Sequence, residues 1–265
     1  LIARRDTHAT AKLKKAGLDL GRMRIVDLDA DDTWARDFGP ITVAIGRSHL
    51  LRDFIFNGWG GKYSARNDNR VTRGLHAAGV FGATPLTVES FVLEGGSIES
   101  DGAGTILTTS ACLVASKRNP GLTQRQIAET LNRTVGARRI LWLNHGVLEG
   151  DDTDAHIDTL ARFVSRNTIV YTACDDPRDS QFQELSAMAD ELRTFHTMAG
   201  KPYRLIPLPW PRACRDAEGV RMPATYANFL ITNQSVLVPV YGCPADRAAC
   251  RILADLFPRR RVVPI

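Results

Sequence analysis

An α/β fold of five repeated units closed around an axis is what the 265 residues predict. Three observations carry it. A helix-like segment, a short apolar strand, a polar stretch and a two-stranded hairpin recur in that order. The strands that follow the helices begin near residues 24, 86, 140, 203 and 261, so the intervals are 62, 54, 63 and 58 residues. The chemically unusual side chains gather at one phase of the repeat. Units of that length cannot bury a face alone, so they stack in a line or close around an axis, and five copies favour closure.

The first copy reads as a helix from Ala9 to Leu18, a strand from Arg24 to Leu28, a polar stretch from Asp29 to Asp37, and a hairpin from Ile41 to Phe56 turning at Gly46-Arg-Ser48. The alternation Ile41, Val43, Ile45 fits a half-buried strand. The second has Val71 to Val80, Leu86 to Leu93, the polar Glu94-Gly-Gly-Ser97, and a turn at Asp101-Gly-Ala-Gly104. The third has Gln124 to Val135 with Thr123 as N-cap, Ile140 to Leu143, a polar region around His156, and a turn at Ser165-Arg-Asn167. The fourth has the amphipathic Phe182 to Phe195, Tyr203 to Leu208, and a hairpin from Ala227 to Val240 turning at Asn233-Gln234. The fifth has Ala245 to Phe257 and Val262 to Ile265, and the chain stops before its hairpin. The expected organisation is therefore one α/β domain over 1–265 with an incomplete repeat.

With 44% hydrophobic residues there is enough apolar material for a core. No apolar run approaches the roughly eighteen residues of a spanning helix and no charged-then-apolar leader opens the chain, so a soluble, cytoplasmic protein without membrane contact is expected. The five cysteines, Cys112, Cys174, Cys214, Cys243 and Cys250, are scattered and show no zinc-ligand pattern. A net charge of +5 is spread along the chain apart from Arg259-Arg-Arg261, which argues against nucleic acid as a partner.

The polar stretches carry the chemistry. They are Thr33-Trp-Ala-Arg-Asp-Phe-Gly-Pro40, Glu94-Gly-Gly-Ser97, His156-Ile-Asp158 and Pro223-Ala-Thr-Tyr-Ala-Asn228. The His-x-Asp spacing predicts an imidazole and a carboxylate on one face of an extended strand. If the copies are radial, three carboxylates and a histidine converge on one volume, and such a cluster is costly unless a cation completes it. A metal ion is one candidate. A guanidinium, planar and matched to bidentate carboxylates, is the other, with Trp34 as a wall. The alternatives for individual residues are bland: Trp34 and Trp59 as core aromatics, Asp37 paired with Arg36, Gly95-Gly96 as a bulge, and Tyr226 and Asn228 as structural groups. Glu94, directly after Phe91-Val-Leu93, needs a partner if it faces the core.

Trp34-Ala-Arg-Asp-Phe-Gly-Pro40, Asn57-Gly-Trp-Gly-Gly61, Leu93-Glu-Gly-Gly-Ser97, Lys117-Arg-Asn-Pro120, the His156-Ile-Asp158 region and Pro223-Ala-Thr-Tyr-Ala-Asn-Phe229 resemble, in order, the motifs of the agmatine deiminase family. This family includes bacterial-type peptidyl-arginine deiminase relatives and belongs to the guanidino-group modifying superfamily. The resemblance implies a five-bladed α/β propeller, the pentein fold. It also implies hydrolysis of a guanidinium to a ureido group with release of ammonia, through a covalent cysteine intermediate and without metal or organic cofactor. Agmatine is the implied substrate, converted to N-carbamoylputrescine for putrescine and polyamine synthesis. By position His156 resembles the general acid and base. Asp37 and Asp158 resemble the carboxylates that grip the guanidinium nitrogens, Glu94 the one that orients His156 and contacts substrate, and Trp34 a pocket wall. Closed propellers of this family tend to pair, which implies a homodimer.

The chain departs from the family in four places. The nucleophilic cysteine lies in a Gly-rich segment ending in His-Cys ahead of the last hairpin, and extrapolating the repeat puts that segment beyond Ile265. Cys243, in Tyr241-Gly-Cys-Pro244, is the nearest cysteine but follows a hairpin instead of preceding one. The N-terminal stretch with substrate-side tryptophans is also short. Glu99 stands where His is common, and Ala155 where Gly is common, so a positive φ there would be constrained by the added methyl. These 265 residues alone are therefore expected to bind a guanidino ligand without turning it over. Competing expectations are a non-catalytic guanidine- or polyamine-binding protein, a deiminase of peptidyl arginine, an amidino transferase, and a metal-dependent hydrolase using His156 with the acids.

Overall fold

The computed structural model describes Ile2–Ala3 and residues 9–265. The repeat is real, but its phase is not the one expected. Each helix and its strand return to the hairpin that precedes them. The strand pairs in parallel with the second hairpin strand, giving a three-stranded mixed sheet per repeat. A parallel pair needs a crossover, and the helix supplies it.

The chain divides into two compact units, residues 1–95 with 117–119, and residues 96–116 with 120–265. In the first, β1 (Ile2–Ala3) pairs in parallel with β2 (Val26–Asp27), with α1 (Ala9–Lys15) between them. The one-turn α2 (Ala35–Phe38) leads into β3 (Ile41–Ile45), which is antiparallel to β4 (Ser48–Ile55), turning at Gly46-Arg47 as expected. After the one-turn element α3 (Gly58–Gly61), α4 (Asp68–Ala77) crosses back to β5 (Leu86–Val92), parallel to β4. Ile41 and Val43 are half-buried, whereas Ile45, at the turn, is 56% exposed. Phe38, Phe56, Trp59 and Val71 form the core of this unit.

The second unit holds three such sheets. The first comprises β6 (Ile98–Ser100), β7 (Thr105–Thr109) and β8 (Arg139–Leu143), with α5 (Ser110–Leu113) and α6 (Gln124–Val135) in the crossover. The second comprises β9 (Ala161–Ser165), β10 (Thr168–Thr172) and β11 (Arg204–Leu208), joined by α7 (Phe182–Thr194). The third comprises β12 (Leu230–Ile231), β13 (Ser235–Val238) and β14 (Arg261–Pro264), joined by α8 (Ala245–Leu256). Every residue of the central strands β7 and β10 is buried, as for strands covered on both faces.

The helices follow from their sequences. Thr123 caps α6 in a reciprocal box with Gln126, and Gly136 ends it at φ +74°. Leu185, Met188, Ala189 and Leu192 place one stripe of α7 into a core with Ile157, Leu160 and Ile169, each fully buried large side chain contributing about 2 kcal/mol. A second core joins Tyr226, Phe229, Val236 and Val238 to Ala249 and Leu253 of α8. No described helix is long and apolar enough to cross a membrane.

Candidate active site

The expected phase of the chemistry holds. Asp37 stands four residues ahead of β3, Glu94 four ahead of β6, and Asp158 three ahead of β9, each in the segment that enters a hairpin. All are buried: Asp37 is 7% exposed, Glu94 0%, His156 2% and Asp158 4%. Ionisable groups at such depth need partners built into the fold.

In the first unit, Asp37 lies in α2 and receives the indole N–H of Trp59 at 3.0 Å. Trp59 is a core aromatic, 5% exposed, edge-on to Phe56 with ring centroids 5.0 Å apart. Trp34, the N-cap position of α2, is 56% exposed. Glu94 has the partner its position demanded: Arg118 Nε donates to Oε1 at 3.0 Å and Oε2 at 2.9 Å, with both side chains at 0% exposure. Asn119 ties the same segment to β5, donating to Val92 O at 2.8 Å and accepting Val92 N at 3.0 Å. Gly95 is required for contact, since a Cβ there would lie 2.0 Å from Arg36 O.

In the second unit, His156 and Asp158 do not sit on an extended strand. Ile157–Thr159 form a 3₁₀ turn with His156 as its N-cap, closed by Thr159 N to His156 O at 3.3 Å and Leu160 N to Ile157 O at 3.0 Å. The alternation argument fails because these local bonds replace a sheet partner before β9 begins. The turn is pinned at both ends. Thr109 Oγ1 donates to Ala155 O at 2.7 Å, while Thr172 and Thr225 both donate to Thr159 O, at 3.0 and 2.7 Å. Ahead of it, Asp154 and Ala155 have φ of +64° and +65°, so the methyl of Ala155 does sit on left-handed backbone. Asp151 compensates, accepting Thr153 N at 3.0 Å and Ala155 N at 2.6 Å.

Cys112 is a neighbour that sequence reasoning missed: its Sγ and a ring nitrogen of His156 lie within 4.8 Å. Nothing in the local sequence singled it out: it lies in the one-turn α5 that follows β7. Cys243 is otherwise engaged. Its Sγ contacts Tyr226 OH at 3.3 Å and donates to Asp246 Oδ1 at 3.6 Å, while Tyr226 donates to the same oxygen at 2.6 Å. Burial and then the Asp246 carboxylate push the Tyr226 phenol far up, fixing it as a structural donor.

Two further buried arginines are held in ion pairs, one of them with Glu99. Glu99 accepts Arg162 Nε at 2.6 Å and Phe163 N at 3.1 Å, and Arg162 then grips Ala227 O and Phe229 O at 3.1 and 2.8 Å. Arg221 is held by Asp179 in a two-bond fork, both 2.8 Å, over the ring of Trp210. The Arg221 hydrogen bonds outweigh burial and hold the Asp179 carboxyl down at about 2.

Small ββαβ sheets with buried acids and a buried histidine in the segments entering them place the chain among α/β repeat proteins that keep their polar chemistry at strand entrances. The family within that class follows from comparison. The profile of the Porphyromonas-type peptidyl-arginine deiminases matches residues 1–265, and the chain belongs to that family. It is 34% identical to an agmatine deiminase from Stutzerimonas stutzeri, over 95% of this chain and 74% of that one. A Porphyromonas gingivalis protein solved as a candidate arginine deiminase superposes with a TM-score of 0.90 at 47% identity, over 96% of this chain and 76% of that one. A C. jejuni agmatine deiminase with substrate bound superposes with 0.90 at 35% identity, over 100% and 75%.

Proposed function

We propose that this chain carries the guanidinium-binding and acid–base residues of an amidine hydrolase acting on agmatine. Water converts the guanidinium to a ureido group, and ammonium leaves. Asp37 and Asp158 bind guanidinium nitrogens through charge-assisted hydrogen bonds, and Glu94 accepts from the same group. His156 protonates the departing nitrogen and later takes a proton from water. Trp34, exposed beside Asp37 in sequence, lies against the substrate. A covalent step through a thiolate completes the reaction on this reading, and none of the five cysteines is assigned to it. A five-bladed propeller, a cytoplasmic location and a homodimer belong to the same proposal.

The observation that supports it most is the burial of Asp37, Glu94, His156 and Asp158, the four ionisable residues singled out by position. Ionisable side chains buried this deeply, in the segments that enter successive hairpins, concentrate where a fold binds or transforms a ligand. Ammonia and ureido product are to be measured with agmatine and with peptidyl arginine, using this chain and the intact protein from its source. Agmatine turnover in the intact protein, lost in His156→Ala and Asp158→Asn, is expected. Turnover unchanged by both substitutions would sink the assignment. Binding of agmatine without any product would leave a binding protein in its place.

A further inference from the structure

Asn57-Gly-Trp-Gly-Gly61 adopts a backbone that one of its residues resists. Gly58, Trp59, Gly60 and Gly61 have φ of +69°, +54°, +79° and +81°, one left-handed turn. The glycines enter it freely, but a bulky L residue there is strained, its Cβ crowding the backbone. Such strain persists where the surroundings over-determine it and concentrates at sites of function.

The surroundings do over-determine it. Asn57 accepts Gly60 N at 2.9 Å through its side-chain oxygen and donates from its amide nitrogen to Lys117 O at 3.0 Å. A Cβ on Gly58 would meet Tyr63 O at 2.2 Å, so no ordinary residue can replace it without opening the turn. Phe56 and Tyr63 stand edge-on to the Trp59 ring at 5.0 and 5.6 Å. All of this delivers one polar atom, the indole nitrogen, to Asp37 Oδ2 at 3.0 Å inside the core.

We infer that Trp59 is a positioning residue for Asp37, its indole N–H fixing one carboxylate oxygen so that the carboxylate plane is preset for a substrate guanidinium. This rests on the proposed function. An indole suits the task because it donates a single hydrogen bond and adds no charge. It orients the carboxylate without lowering its attraction for an incoming cation. Arg118, by contrast, brings a full positive charge to Glu94.

The test compares wild type with Trp59→Phe, which keeps a ring among Phe38, Phe56 and Tyr63 but removes the donor. Agmatine Kd is measured by calorimetry, and KM and kcat on the intact protein. The expected result is a Kd and KM raised about 10- to 100-fold, with kcat and the thermal midpoint nearly unchanged, as for other residues that orient a ligand-binding group. Agmatine binding by wild type that Trp59→Phe leaves intact overturns this role alone. Wild type that fails to bind agmatine overturns the proposed function and this role with it. Should Trp59→Phe not fold, the indole proton resonance of wild-type Trp59 serves instead: it is expected to shift with agmatine saturation, and an unmoved resonance overturns the role.

Discussion

Replacing Arg118 by Met tests whether Glu94 is held as an ion. The guanidinium and the carboxylate meet at 2.9–3.0 Å and neither is exposed at all. Methionine fills much of the vacated volume, so the loss is chiefly electrostatic. Removing one partner of a fully buried pair costs about 3–5 kcal/mol, because the remaining charge has lost both water and its counter-ion. For a chain of this size that lowers Tm by roughly 6–20 °C. A carboxyl group buried without that guanidinium is penalised only in its charged form, so taking up a proton relieves it. Stability from such a group is present at low pH and lost as pH rises. The defect of Arg118→Met is therefore expected to be larger at pH 8 than at pH 5. Urea unfolding followed by tryptophan fluorescence at the two pH values measures it. Adding Glu94→Met should restore most of the loss, since a well-packed apolar pair replaces a buried ion pair at little net cost. A loss under about 1 kcal/mol at both pH values, with no recovery in the double variant, would refute the claim that the pair is a desolvated ion pair.

Ala155→Val is expected to destabilise by at least about 2 kcal/mol, because a β-branched residue at φ +65° clashes with its own backbone, whereas Ala155→Gly should shift stability by under about 1 kcal/mol as relief of strain offsets the lost methyl. Thermal melts of the two variants rank them, and equal effects would show that the left-handed conformation is not held. Arg162→Lys should cost about 2–3 kcal/mol in urea unfolding, since an ammonium cannot serve Glu99 and the carbonyls of Ala227 and Phe229 together; a neutral result would mean that water replaces the fork. The Asp179 carboxyl is held at about 2 by Arg221, below its unfolded value, so the stability it provides is present above about pH 4 and drains away as pH falls toward 2. That acid limb, about 1–2 kcal/mol after screening, should vanish in Asp179→Asn, and an unchanged pH profile would remove the assignment.

Composition and periodicity determined the repeat, the four hairpins with their turns, the cap on α6, and the phase at which Asp37, Glu94 and Asp158 occur, because these depend on residues close in sequence. Hydrophobic alternation, glycine turns and capping side chains act over a few residues and can be read in order. Tertiary structure decided which hairpin each crossover strand joins. A parallel partner lies a helix away, and local pattern is the same whether the strand returns to the preceding sheet or opens the next. It also decided that His156 and Asp158 share a 3₁₀ turn. Thr109, Thr172 and Thr225, remote in sequence, supply the hydrogen bonds that a strand neighbour would have given. The partners of the buried ions were hidden for the same reason. Nothing near Glu94 in sequence names Arg118, nothing near Asp37 names Trp59, and Glu99 became a structural anchor only where folding set Arg162 against it. A buried charge announces that it needs a counterpart, and only packing says which residue provides it.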